Sequence, residues 1–115
     1  MKQPDNKQVK ILVVDDEPGI RNVLKITLES SGYQVCLAAD GKSGLDMFNR
    51  EQPAIVITDI KMPGIDGIEL LKQIKHLVPD TEVIMITGHG DMALAIKSLK
   101  YGASDFINKP IDNND

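Results

Sequence analysis

Three aspartates, one threonine and one lysine each close a short run of apolar residues, and together these types suit one chemistry. Asp15 and Asp16 follow Ile11-Leu12-Val13-Val14, and Glu17 comes next. Asp59 follows Ile55-Val56-Ile57-Thr58. Thr87 follows Val83-Ile84-Met85-Ile86 and leads into Gly88-His89-Gly90. Lys109 stands before Pro110 after a weaker run. Carboxylates at close quarters repel one another, so their charge calls for a cation. Hard oxygen ligands suit Mg²⁺, which takes one or two carboxylates, keeps several waters and engages phosphate oxygens. A carboxylate can also be a nucleophile and form an acyl phosphate. A lysine and a hydroxyl then serve the phosphoryl oxygens, one by charge and one by a hydrogen bond. Taken singly, each residue has an ordinary reading. Asp15-Asp16 could cap a helix, Asp59 could be a turn residue before Pro63-Gly64, Thr87 a loop cap and Lys109 a surface lysine. Only a fold that brings them to one edge makes them a site.

The apolar runs supply such a fold. Residues 9–14, 34–39, 54–58 and 82–86, with a weaker run at 104–108, are short and rich in β-branched side chains. They read as strands buried on both faces, as in a parallel sheet. Helical spacing lies between them. Ile20, Val23, Leu24, Thr27 and Leu28 repeat at the intervals of one helix face. Gly67, Leu70, Leu71 and Ile74 do so too, as do Met92, Ala95, Ile96 and Leu99. A shorter helix is expected over 42–50, with Leu45 and Phe48 inward. Pro18 and Asp91 sit near helix starts, and Gly32 and Gly102 stand where a helix end needs a left-handed residue. The order βαβαβαβαβ implies an α/β domain with right-handed crossovers. Ligands of open α/β sheets bind beyond the carboxyl ends of the strands, where the chemical residues gather. The second strand delivers only Asp40-Gly41, which reads as a turn.

Composition narrows the function. Acidic residues number 17 and basic ones 13, for a net charge of −4, and no basic block occurs. Direct nucleic-acid binding is not expected, since it rests on neutralising phosphates. Aromatic residues make up 3% and Trp is absent, which leaves no base-stacking platform. No apolar stretch approaches the roughly 20 residues of a membrane helix, and the start of the chain does not resemble a signal peptide. A cytoplasmic, soluble protein is expected. Cys36 reads as a small core residue and His76 as a solvated one. Residues 1–8 read as a flexible tail and 9–115 as one domain. The chain stops five residues after Pro110, where a fifth helix would be expected beyond Asn113. Its absence should leave apolar sheet surface uncovered.

Several segments resemble the receiver domain of two-component response regulators. They are Ile11-Leu12-Val13-Val14-Asp15-Asp16-Glu17, the stretch from Thr58 to Gly67, Ile86-Thr87-Gly88 and the stretch from Gly102 to Pro110. The pattern Asp-x-x-Met-Pro-x-x-Asp-Gly from Asp59 to Gly67 is the most specific. The resemblance implies a flavodoxin-like doubly wound sheet of five parallel strands, order 2-1-3-4-5. It implies that Asp59 takes a phosphoryl group from a phosphohistidine of a sensor histidine kinase or phosphotransfer protein. Asp16 and Asp59 would ligate Mg²⁺ directly, Asp15 through a metal-bound water, and Lys61 by its backbone carbonyl. Thr87 and Lys109 would hold the phosphoryl group, with Gly88 leaving room for it. Thr87 and Phe106 would form a switch pair, Lys61 and His89 would tune the phosphate lifetime, and the bond before Pro110 would be cis. The chain would be a fragment of a longer transcriptional regulator or hybrid kinase, able to dimerise through the fourth helix and fifth strand. It would be a phosphoacceptor and not a turnover enzyme.

Two other classes compete. A haloacid-dehalogenase-like phosphatase also uses a carboxylate nucleophile, Mg²⁺ and a lysine, but its nucleophile ends the first strand in an Asp-x-Asp pattern. Asp15 and Asp16 are adjacent instead. A module that keeps the fold without being phosphorylated would not need the full acceptor set.

Overall fold

The structure, a computed structural model, describes residues 9–88 and 90–109. The expectations for residues 1–8, for His89, for Pro110 and for the chain beyond it lie outside these. Five strands alternate with four helices among the described residues: β1 Lys10–Val14, α1 Pro18–Ser30, β2 Gln34–Ala38, α2 Gly41–Glu51, β3 Ile55–Asp59, α3 Gly67–Leu77, β4 Glu82–Thr87, α4 Met92–Lys100 and β5 Asp105–Asn108. The strands form one parallel sheet in the order β2-β1-β3-β4-β5. No described helix is long and apolar enough to cross a membrane.

Alternation along the strands divides the core in two. Leu12, Val14, Val56, Val83 and Met85 face the side covered by α2, α3 and α4, where Phe48, Leu70, Leu71, Ile74 and Ala95 meet them. Ile11, Val13, Ile57 and Ile86 face the other side, where Leu24 of α1 packs with Ile20 and Leu28 beside it. Strands filled on both faces are why the sequence runs are continuously apolar. On the α1 side Ile107 of β5 is 37% exposed.

Local chemistry fixes the helix ends. Asp40 and Asp66 cap α2 and α3 by accepting hydrogen bonds from the Ser43 and Glu69 amides at 2.8 and 2.9 Å. Asp40-Gly41, expected as a turn, is instead the start of a helix: Asp40 is the N-cap of α2 and Gly41 its first residue. Gly32 and Gly102 take positive φ after α1 and α4. Asp91 stands at the N-cap of α4 but makes no capping hydrogen bond.

Helix α4 departs from the sequence pattern. Ala95 is buried as expected, but Met92, Ile96 and Leu99 are 45%, 52% and 41% exposed. The helix seats on Ala95 and Ser98, both small and both fully buried. Small residues let the helix lie close to the sheet, and this turns the larger apolar side chains to its flanks.

Candidate functional site

Each candidate side chain is set by the backbone that ends its strand. The Asp15 amide donates to the Ala38 carbonyl at 3.1 Å, which extends the sheet one residue past β1. Asp15 is fully buried, and its Oδ1 accepts from the Glu17 amide at 2.8 Å. Arg21 of α1 donates to the Asp15 carbonyl at 2.6 Å. Asp59 closes β3 and is buried, and the Ile60 amide after it donates to the Ile86 carbonyl of β4. Ile60 and Met62 are buried and root the segment that follows. The Lys109 amide donates to the Thr87 carbonyl at 2.8 Å, and this carries Lys109 past β5 toward the same edge.

The four carboxylates and the lysine converge. Lys109 Nζ donates to Asp59 Oδ2 at 3.1 Å, pairs with Glu17, and lies 3.7 Å from Asp15 Oδ2. Carboxylate oxygens of Asp15, Asp16, Glu17 and Asp59 all lie within 4.8 Å of one another. Asp15 Oδ2 is buried without a hydrogen-bond partner. A buried, orphaned carboxylate oxygen beside three other carboxylates is a donor set that fits a hard divalent cation. The Thr87 hydroxyl is buried and donates to the Gly88 carbonyl at 3.2 Å. Phe106 is half-buried against the core, level with Met85 of β4. Lys61 has an exposed side chain whose Nζ reaches Asp91 Oδ1 at 2.9 Å.

The charges perturb one another. Burial, then the neighbouring charge of Asp59, outweigh the Glu17 amide and Lys109 and push Asp15 up to about 6. Burial likewise raises Asp59, against the hydrogen bond and charge of Lys109. Burial works against the charge of Lys109, but Glu17 and Asp59 outweigh it and hold its value above the usual one. The Lys61 hydrogen bond holds Asp91 below its usual value.

A pH dependence follows for the metal-free protein. Asp15 binds its proton more tightly folded (about 6) than unfolded (3.8). Its contribution to stability is therefore fully present below the unfolded value and is lost as pH rises through about 6. Asp15→Asn cannot ionise. In chelator near pH 8 it is expected to be about 1–2 kcal/mol more stable than wild type, and near pH 4 about equal to it. Denaturant titrations at both pH values check this, and no gain near pH 8 would count against the buried charge.

Reasoning from the sequence did not single out Glu17, Arg21 or Asp91 as partners. Glu17 was visible as the third acid of a run, but nothing in its type said that it would take the lysine.

The sequence model of the response regulator receiver domain matches residues 11–115. This chain belongs to that family. The receiver is 40% identical over 111 residues to the C4-dicarboxylate transport transcriptional regulatory protein DctD of Pseudomonas aeruginosa, covering 96% of this chain and 24% of that protein. It is 41% identical over 103 residues to sporulation initiation phosphotransferase F of Bacillus subtilis, covering 90% and 83%. A crystal structure of a response regulator receiver domain protein from Clostridium thermocellum superposes with a TM-score of 0.86 at 40% identity, covering 90% and 84%. The receiver thus spans about a quarter of the transcriptional regulator it matches and most of the phosphotransferase. The flavodoxin-like order expected of the receiver is the order observed.

Proposed function

We propose that this receiver accepts a phosphoryl group on Asp59 in a Mg²⁺-dependent reaction and acts in the cytoplasm as a switch, not as a turnover enzyme. The observation that carries the reading is the Asp59 carboxylate, hydrogen-bonded to Lys109 and next to the orphaned oxygen of Asp15. A carboxylate oxygen of Asp59 would attack the phosphorus of a phosphohistidine on a sensor kinase or phosphotransfer protein. The nitrogen–phosphorus bond breaks, and the electron pair returns to the imidazole. Lys109 would follow the charge onto the phosphoryl oxygens, and Thr87 would donate its hydroxyl to them instead of to the Gly88 carbonyl. Asp15, Asp16, Asp59 and the Lys61 carbonyl would hold Mg²⁺, which when bound neutralises the charge gathered on the transferring oxygens. Movement of Thr87 would make room for Phe106 to turn inward, and so bias the α4–β5 surface between two states.

That surface carries the exposed Met92, Ile96 and Leu99 of α4, which suits a homodimer contact or an output contact. The length of the transcriptional relative supports an output domain in the same native protein.

The test uses beryllofluoride, which mimics a phosphoryl group on a carboxylate. With Mg²⁺ present, amide NMR signals of Asp59, Thr87 and Lys109 should shift together and those of α4 and β5 should follow. With chelator present they should not move. Equal shifts with and without the metal would contradict the reading.

A further inference from the structure

The segment from Asp15 to Glu17 carries three of the four clustered carboxylates and belongs to neither β1 nor α1. Asp15 is buried, but Asp16 and Glu17 are exposed, so the backbone must aim them. It is pinned at two places. The Glu17 amide donates to Asp15 Oδ1 at 2.8 Å, which fixes the peptide between Asp16 and Glu17. Arg21 Nη1 donates to the Asp15 carbonyl at 2.6 Å, which fixes the peptide between Asp15 and Asp16. A peptide is planar, so holding its oxygen also holds the next nitrogen. Asp16 stands between the two fixed planes, and they set the direction in which its side chain leaves the chain. The Arg21 amide also donates to the Glu17 carbonyl at 3.2 Å, so one residue of α1 holds both ends of the segment.

The placement of Arg21 runs against its own helix. It is the fourth residue of α1, and its side chain reaches back past the N-terminus, the positive end of the helix dipole, where a cation is unfavourable. No acidic residue of the first turn offsets it. We propose that Arg21 is a positioning residue for the cation site: its hold on the Asp15 carbonyl aims the Asp16 carboxylate into the cluster and so strengthens Mg²⁺ binding. This rests on Asp15, Asp16 and Asp59 being ligands of the metal. Two effects of opposite sign meet at Arg21. Its charge repels a divalent cation, and its hydrogen bond arranges an oxygen that attracts one. Solvent and salt weaken repulsion from a half-buried guanidinium, whereas a misdirected carboxylate is lost as a ligand. The arrangement therefore outweighs the repulsion.

The experiment titrates the whole chain with Mg²⁺ alone and follows the amide NMR signals of Asp59 and Lys109. Arg21→Met keeps most of the side-chain stem and removes its charge and donors. It is expected to weaken Mg²⁺ binding about three- to tenfold, at the low end for a ligand's supporting partner because the guanidinium is only half-buried. Arg21→Lys keeps the charge and a donor at shorter reach and should recover part of the loss. In an Asp16→Asn background Arg21→Met should weaken binding no further, because the ligand that it aims has gone. Labelling of Arg21→Met by a small acyl phosphate should be slow at low Mg²⁺ and close to the wild-type rate at saturating Mg²⁺. Binding as tight as wild type or tighter in Arg21→Met overturns the proposal, since the charge alone would then decide. An equal loss in the two backgrounds also overturns it, as does slow labelling that saturating Mg²⁺ does not restore, because either marks a general effect on α1. A wild-type chain whose signals do not move with Mg²⁺ is a different result, and it overturns the metal reading together with the role of Arg21.

Discussion

Asp59→Asn is expected to lower phosphoryl labelling at least about a thousandfold, because it removes the nucleophile itself. The amide has nearly the same shape as the carboxylate but a far weaker lone pair to offer phosphorus. The change also strips one oxygen donor from the cluster formed with Asp15, Asp16 and Glu17, and one partner from Lys109. The fold should survive it. Burial already disfavours the charged form of Asp59 in the metal-free protein, ahead of the opposing help from Lys109. Removing that charge relieves a cost as well as breaking a contact, so the variant should unfold at a denaturant concentration close to that of wild type. Labelling by a small acyl phosphate, read beside a denaturation curve, separates loss of chemistry from loss of structure. A variant labelled as fully as wild type would refute the assignment.

Gly67→Ala is expected to act through the backbone and to be among the most damaging changes near the site. A Cβ at Gly67 would lie 2.0 Å from the carbonyl oxygen of Asp59 and 2.9 Å from the Cα of Ile60. Neither atom can rotate away, because both belong to the main chain. The Gly67 amide also donates to the Ile60 carbonyl at 2.8 Å, which pins the start of α3 to the end of β3. Either α3 lifts from the sheet or the acceptor strand end moves. Leu70, Leu71 and Ile74 are fully buried, so lifting α3 would open the larger core. A destabilisation of about 2–4 kcal/mol is expected from such overpacking, together with slower labelling of Asp59. Equilibrium denaturation and labelling at low temperature check both parts. A variant as stable as wild type would mean that α3 is not seated on Asp59 in this way. The glycine that ends the motif from Asp59 to Gly67 thus has a steric reason: the helix start must touch the backbone of the acceptor.

Much of this was legible because the fold writes short messages. Strands covered on both faces leave unbroken apolar runs, and Leu12, Val13 and Val14 are all fully buried. Asp15, Asp59, Thr87 and Lys109 could be grouped because parallel strands deliver their ends to one side. What stayed hidden depends on contacts that residue type does not specify. Asp91 looked like a helix cap, and its position is that of a cap, but its carboxylate found an ammonium on another segment. Glu17 is exposed, and among the described residues its side chain finds its partner in Lys109, which arrives from a distant strand. In α4 the apolar spacing was real, yet Ser98 shares the seating face with Ala95. A buried serine is invisible to a search for apolar periodicity, so the face that meets the sheet could not be told from the face beside it.

The central claim is that Asp59 carries the phosphoryl group. The most direct measurement is to label the chain with a small acyl phosphate and Mg²⁺, reduce it with borohydride and map the peptides by mass spectrometry. Reduction turns an aspartyl phosphate into homoserine and so marks the residue that held it. The account predicts homoserine at position 59 alone, and none when the metal is chelated. Homoserine at Asp15 or Asp16, or none anywhere with Mg²⁺ present, would contradict it.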